Sequence, residues 1–483
     1  MNHAMKRRDF VAGIGVLASS SLLQCATAQS ATTEILIRGG RIVNADGVRA
    51  ADVRIVGETI AEVGLSLVPG ADARIIEAKG RLVMPGGIDP HTHFGGRFVD
   101  DITDGSRAAL AGGITTLGTF ATTQPSEQIK DAIERHSGYA RQQAIADIFL
   151  HGQTWPPNPA AMPVLAELGQ PSFKIFPRLD FEMHIGALLQ MLESARAAGV
   201  VSLIHCEDGQ LVAAATRRLQ AAGRTSLQAF AESRPAIAEL AATQRAAAFC
   251  ESTGAPMYVV HLSLARALDA CRAARAAGLP LFVETRPLYL FLTEQRLLGP
   301  EGPLHVGMPP LRSASDVAAL WGGLIDGSID VLATDHAPST RAMKLDPALS
   351  ITNSRAGVSD LQFMLPMYFS EGTGKRGLSL ERFVATTSTN AARIFGLYPR
   401  KGVLQAGSDA DLAIWDPAAV AKVTASGGFS KSDYTVYEGT NVTGWPVMTM
   451  RRGQVVFENG CVTGQPGSGR LLAREQWRPQ DRR

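Results

Sequence analysis

Eight short apolar runs recur along the middle of the chain, at residues 82–89, 114–120, 146–151, 171–176, 200–204, 257–260, 280–285 and 329–334. Each is aliphatic or β-branched and is bounded by Gly, Pro or polar residues, the pattern of a short buried strand. Ala-, Leu- and Arg-rich segments lie between them, as at 186–198, 240–252 and 264–277, and read as helices. Eight strands alternating with helices over about 250 residues predict an α/β fold, a (β/α)8 barrel. A barrel of this kind gathers the C-terminal ends of its strands at one mouth, and its chemistry sits there.

The ends of these runs carry a distinctive set of side chains. His91 and His93 follow the first run and Lys174 lies within the fourth. His205, His261 and Asp335 follow the fifth, sixth and eighth. Two residues apart on a strand, His91 and His93 point to one face. Converging imidazoles make half of a divalent-metal site. Two ions can share the set, one held by His91, His93 and Asp335, the other by His205 and His261. A lysine ammonium has no free lone pair. Lys174 therefore contributes only as a neutral amine or as a carbamate, whose two oxygens could bridge both ions. Two ions about 3.5–4 Å apart activate a bridging hydroxide and polarise a carbonyl. Zinc is the expected metal for His and carboxylate ligands, and Mn, Co or Ni also fit. Asp335 suits a general acid/base; the plainer reading is an N-cap for the next helix. His336 is expected to support a ligand from behind, and His151 to pack or to line the pocket. His136 and His184 carry no expected role.

The flanks of the barrel read differently. Short strands separated by Gly-containing turns are expected at 35–38, 41–44, 52–56 and 59–63, and again at 411–416, 447–451 and 454–458. The two brackets are expected to combine into one composite β-sandwich domain. The predicted division is 29–84 and 401–465 for the sandwich, 85–400 for the barrel and 466–483 for a polar tail, mobile or laid on a neighbouring subunit. Residues 1–28 read as a targeting segment. Arg7-Arg8 with Phe10 precede a mildly apolar stretch, and Ala26-Thr27-Ala28 offers a small-residue cleavage site. The paired arginines resemble a twin-arginine signal, which predicts a periplasmic or secreted protein. Cys25 follows Gln24, a poor setting for lipidation. The remaining cysteines, Cys206, Cys250, Cys271 and Cys461, have no metal-binding spacing and read as buried thiols. With 47 basic against 45 acidic residues and no internal basic tract, nucleic-acid binding is not expected. No apolar span is long enough to cross a bilayer as a helix.

Several motifs together resemble the amidohydrolase superfamily, and within it the dihydropyrimidinase/hydantoinase group. They are Gly86-Gly87-Ile88-Asp89-Pro90-His91-Thr92-His93, Ser172-Phe173-Lys174 and Ala333-Thr334-Asp335-His336-Ala337-Pro338. Thr387-Ser388-Thr389-Asn390-Ala391-Ala392 and Gly407-Ser408-Asp409-Ala410-Asp411-Leu412 add to the match, as do Asp433-Tyr434 and Val442-Thr443-Gly444. The resemblance implies a carboxylated Lys174 bridging two metals, with His91, His93, His205, His261 and Asp335 as the other ligands. It implies hydrolysis of a cyclic amide or imide, in a homotetramer or homodimer.

The chain departs from the group's pattern at two substrate contacts. Leu179 stands where hydantoinases usually carry an oxyanion-binding tyrosine, and Arg178 is a candidate replacement donor, with a surface position as the alternative. Met308 stands where a serine usually meets the substrate amide, while the corresponding Asn353 is retained. A less polar pocket and a substrate other than dihydrouracil are therefore expected. Dihydroorotase would need an arginine at Gly95, although Arg97 lies nearby. Allantoin, dihydroorotate and linear acyl-amides remain alternatives, as does a non-catalytic scaffold of the same fold.

Overall fold

The strand-like runs close into a ring. The computed structural model describes residues 34–176 and 181–479. Its eight-stranded parallel sheet contains β1 (Gly87–Thr92), β2 (Ile114–Thr122), β3 (Asp147–Gln153), β4 (Ser172–Ile175), β5 (Val201–Ile204), β6 (Met257–Val259), β7 (Leu281–Thr285) and β8 (Val331–Leu332), each beside the next in chain order. His93 N–H donates to the His336 carbonyl at 2.8 Å, and Thr92 bridges His336, so the segment after β8 returns to β1. Helices at Ile185–Ala197, Ala236–Thr253 and Ala265–Ala276 occupy the expected positions. Ile88, Phe149, Leu203, Tyr258, Phe282 and Val331 fill the barrel interior. A separate apolar layer packs strands against helices.

The first apolar run is not one strand. Leu82–Pro85 pairs antiparallel with Leu412–Lys422 in the second sheet, and β1 starts at Gly87. The chain passes from one sheet to the other at Gly86, where a Cβ would lie 2.3 Å from Thr115 Oγ1. The expected turn at Gly39-Gly40 is a bulge within one strand, Glu34–Asn44, with Gly39 at φ +73°.

N- and C-terminal segments do combine, in one continuous nine-stranded mixed sheet. Ile37, Val53 and Ile60 from one end share a core with Leu412, Met448 and Met450 from the other.

The tail, expected to be mobile or to lie on a neighbouring subunit, packs against its own barrel over residues 469–477. Ile148 N–H donates to Arg470 O and Leu472 N–H to Ile148 O, at 2.8 and 2.7 Å. Leu472 and Trp477 join the barrel interior with Phe149 and Phe395. Arg474 stacks its guanidinium 4.6 Å from the Phe149 ring and donates to Leu150 O and Ser172 Oγ. A mostly polar stretch hid three anchoring residues, because fixed spacing along a strand face is absent here. Ending the chain at Gly469 is expected to remove on the order of 3–5 kcal/mol of stability through Leu472 and Trp477 alone. Chemical denaturation measures this; an unchanged midpoint and slope would sink the plug assignment.

Candidate metal centre and pocket

The expected ligands meet at the C-terminal mouth of the barrel. His91 lies on β1, Lys174 on β4, and His93 just beyond β1. His205 and His261 follow β5 and β6 directly, and Asp335 follows β8. Ligand atoms of His91, His261 and Asp335 all lie within 4.8 Å of one another, close enough to hold one ion. His93 Nε2 is 3.0 Å from Asp335 Oδ1 and His91 Nε2 is 3.3 Å from it. His205 Nδ1 is 3.0 Å from His261 Nε2. The two halves of the set therefore adjoin through His91, His261 and Asp335. His261 and Asp335 have φ of 38° and 49°, a left-handed backbone that non-glycine residues adopt at a cost of about 1–3 kcal/mol. The barrel holds that strain where the side chains must turn inward.

Lys174 behaves as a residue awaiting a partner. Its Nζ is buried, has no hydrogen-bond acceptor among the described residues and sits 5.4 Å from the Phe120 ring centroid. Burial pushes its pKa down to about 8, against the pull of Glu284 and Asp335. A partly neutral amine is the form that adds CO2. The donor set therefore fits the expected group: imidazoles, one carboxylate and a lysine able to become a carbamate.

A ring of supporting residues escaped the sequence reading. Glu284 Oε1 lies 2.8 Å from His91 Nδ1 and accepts the His261 backbone N–H at 2.8 Å. Glu207 Oε2 lies 2.9 Å from His205 Nε2 and also pairs with Arg234. Such carboxylates fix imidazole tautomer and ring orientation. Asp89 accepts the His91 N–H at 3.0 Å and Thr334 Oγ1, tying β1 to the end of β8. Arg286 is fully buried and donates to Asp335 Oδ2. Burial alone would raise the Asp335 pKa, but Arg286 and then His91 outweigh it and hold the carboxyl well below its ordinary range. Glu284 and Arg286 were within reach of the sequence. They end the seventh run two residues apart, the same spacing that singled out His91 and His93.

The remaining candidates separate clearly. Met308 lines the pocket, with Arg97, Phe98, Phe120, Gln153 and Phe176, around a cavity of about 700 Å³ open to solvent. Asn353 does not; it is exposed, and its amide closes a turn with Ala348 O and Ser350. Arg178 and Leu179 lie outside the described residues, as do the targeting segment and Cys25. His151 packs: its ring nitrogens lie 2.7 Å from Ser172 Oγ and 2.8 Å from Pro90 O. His336 supports the loop after β8 from behind, 3.0 Å from Asp100 Oδ2. Cys206, Cys250 and Cys271 are buried thiols, not joined in a disulfide among the described residues, and Cys461 is half-buried. Three other acids, Asp147, Asp409 and Asp411, also come within reach of one ion. Lys401 Nζ already fills that place, 2.9 Å from Asp147, 3.1 Å from Asp409 and paired with Asp411.

A (β/α)8 barrel with imidazoles, an aspartate and an unpartnered lysine at its mouth defines a metal-centred barrel protein. The chain belongs to the amidohydrolase family, whose sequence pattern it matches over residues 82–456. It is 35% identical to the D-phenylhydantoinase of Escherichia coli over 456 residues, 92% of this chain and 99% of that one. Among solved structures it resembles dihydropyrimidinase from Brevibacillus agri, with a TM-score of 0.88 and 32% identity over 92% of this chain and 99% of that one. It also resembles the L-hydantoinase (dihydropyrimidinase) from Arthrobacter aurescens, with a TM-score of 0.84 and 32% identity over 91% of this chain and 99% of that one.

Proposed function

We propose that the protein is a binuclear metal-dependent hydrolase that opens a C–N bond of a cyclic amide or imide. One observation carries the reading: His91, His261 and Asp335 converge within 4.8 Å, and with Lys174, whose buried Nζ has no hydrogen-bond partner among the described residues, they line one solvent-open cleft. His91, His93, His205, His261, Asp335 and a carboxylated Lys174 would hold two divalent ions, with zinc the first choice. Such ions lower the pKa of water and polarise a carbonyl.

Asp335 moves the proton. It takes one from the attacking water and returns it to the leaving ring nitrogen. Arg286 holds one carboxylate oxygen and so fixes the direction of the other. Phe98, Phe120, Phe176 and Met308 give the pocket an apolar wall that excludes water from the ring. The named relatives are D- and L-hydantoinases and a dihydropyrimidinase, which supports a five- or six-membered cyclic amide and leaves either hand in play. Among the described residues no helix is long and apolar enough to cross a membrane. Export by the twin-arginine route and assembly into a homodimer or homotetramer complete the reading.

Metal analysis of the purified protein, run beside a screen of hydantoins, dihydropyrimidines, cyclic imides, allantoin, dihydroorotate and N-acyl amino acids, tests it. About two metals per chain, ring opening, and loss of turnover on chelation are expected. Turnover confined to linear amides would overturn the cyclic-amide reading; failure to bind any metal after reconstitution would overturn the enzyme reading.

A further inference from the structure

Three lysines are buried among the described residues, and each is answered differently. Lys174 Nζ makes no hydrogen bond there, and Lys401 Nζ meets three aspartates. Lys344 is 1% exposed and forms no ion pair among the described residues. Its Nζ donates to three backbone carbonyls instead: Val306 O at 3.0 Å, Arg355 O at 2.8 Å and Gly357 O at 2.9 Å. Burial, and then the charges of Arg286 and Arg97, push its pKa well below the ordinary lysine value. A cation without a carboxylate is a costly way to fill space that an apolar side chain could fill.

The three carbonyls share one place in the fold. They belong to the segments that carry Met308, Ala356 and Gly357 to the wall of the metal cleft, while Lys344 itself, on the short helix Arg341–Lys344, stands outside that wall. Gly357 N–H also donates to Val306 O at 2.9 Å, and the N–H of Ala337, another wall residue, to Val358 O at 3.0 Å. A Cβ on Gly357 would lie 2.4 Å from the Ala337 Cβ, so these segments pass in close contact. We propose that Lys344 is a positioning residue for the substrate: its ammonium draws the Val306 and 355–357 segments together and sets the width of the cleft at Met308, Ala356 and Gly357. This rests on the reading of the cleft as the substrate site and deepens it, because grip on the ring then depends on a clamp outside the cleft. None of the Lys344 hydrogen bonds reaches a candidate metal ligand. Without the ammonium, Val306 O keeps the Gly357 N–H, but Arg355 O and Gly357 O lose their hydrogen bonds, so the 355–357 segment is the part that moves. Arginine is no substitute, since the carbonyls converge on one nitrogen and a planar guanidinium spreads its N–H groups over three.

The test compares wild type with Lys344→Met, Lys344→Gln and Lys344→Arg on hydantoin and dihydrouracil, with metal content and melting transition measured for each protein. Lys344→Met is expected to raise KM by at least ~10-fold while kcat stays within ~3-fold and metal content is unchanged. Lys344→Gln, with two donors on one nitrogen, is expected to recover part of the loss, and Lys344→Arg none. If Lys344→Met does not fold, Lys344→Gln carries the same comparison with a smaller rise in KM. A folded variant with the wild-type KM overturns the clamp and leaves the cyclic-amide reading standing, as does one in which kcat and metal content fall along with affinity. Wild type that holds metal and opens neither ring counts against the cyclic-amide reading; the split between KM and kcat is then read on whichever other screened compound is turned over, which judges the clamp separately. Turnover of none of them overturns both.

Discussion

Lys174→Ala is expected to lose turnover by at least ~10³-fold and to lose bound metal with it. The two losses belong together because the Lys174 Nζ has no structural partner to lose. It makes no hydrogen bond among the described residues and lies over the face of Phe120. A buried ammonium in that position is costly, and its pKa of about 8 reflects this. On the proposed reading, conversion to a carbamate would replace the isolated cation by an anion that two metal ions could neutralise. The variant should therefore fold with near wild-type stability when metal-free and fail only when asked to bind. Inductively coupled plasma analysis of metal content, with propionate added to supply a carboxylate in the vacated space, makes the check. Full metal content with retained turnover would show that the lysine stays an amine.

Asp335→Asn is expected to lower kcat by ~10³-fold or more, since an amide neither takes nor returns the proton. It carries a second effect that Lys174→Ala does not. Arg286 is fully buried and relies on Asp335, with Asp360 more distant at 3.8 Å. Removing the charge of Asp335 leaves that guanidinium without its counter-ion. Breaking a buried pair costs about 3 kcal/mol at the lower end, and Asn, which keeps an acceptor oxygen, should fall there. The metal-free variant should melt earlier than wild type, and Asp335→Asn combined with Arg286→Met should recover stability without recovering activity. If the single variant melts with wild type, Arg286 draws its support from elsewhere and Asp335 is not its anchor.

These effects show why the site was only partly legible. His91, His93, Lys174, His205, His261 and Asp335 stood out in the sequence as candidates because each lies at or near the end of a run of strand-forming residues, and a barrel makes strand ends neighbours whatever their separation in the chain. The roles of Glu207 and Glu284 could not be read in the same way, although the place of Glu284 at the end of the seventh run was within reach. Their task is to orient His205 and His91, and that depends on which ring nitrogen faces which carboxylate, a matter of side-chain direction across strands. Asn353 fails in the opposite sense. Position along a motif suggested a pocket residue, but a local turn uses its amide instead.

The sequence by itself determined the barrel, the composite sheet and the gathering of the candidate ligands at one mouth, because alternation of apolar runs with helices and the position of those residues near run ends are local, periodic signals. Tertiary structure alone decided the split of the first run at Gly86, the seating of Leu472, Arg474 and Trp477 in the barrel floor, and the pairing of Arg286 with Asp335. It also decided that Lys401 fills a cluster of acids. Charge compensation is a property of distances between residues far apart in the chain, and no periodicity along the sequence encodes it.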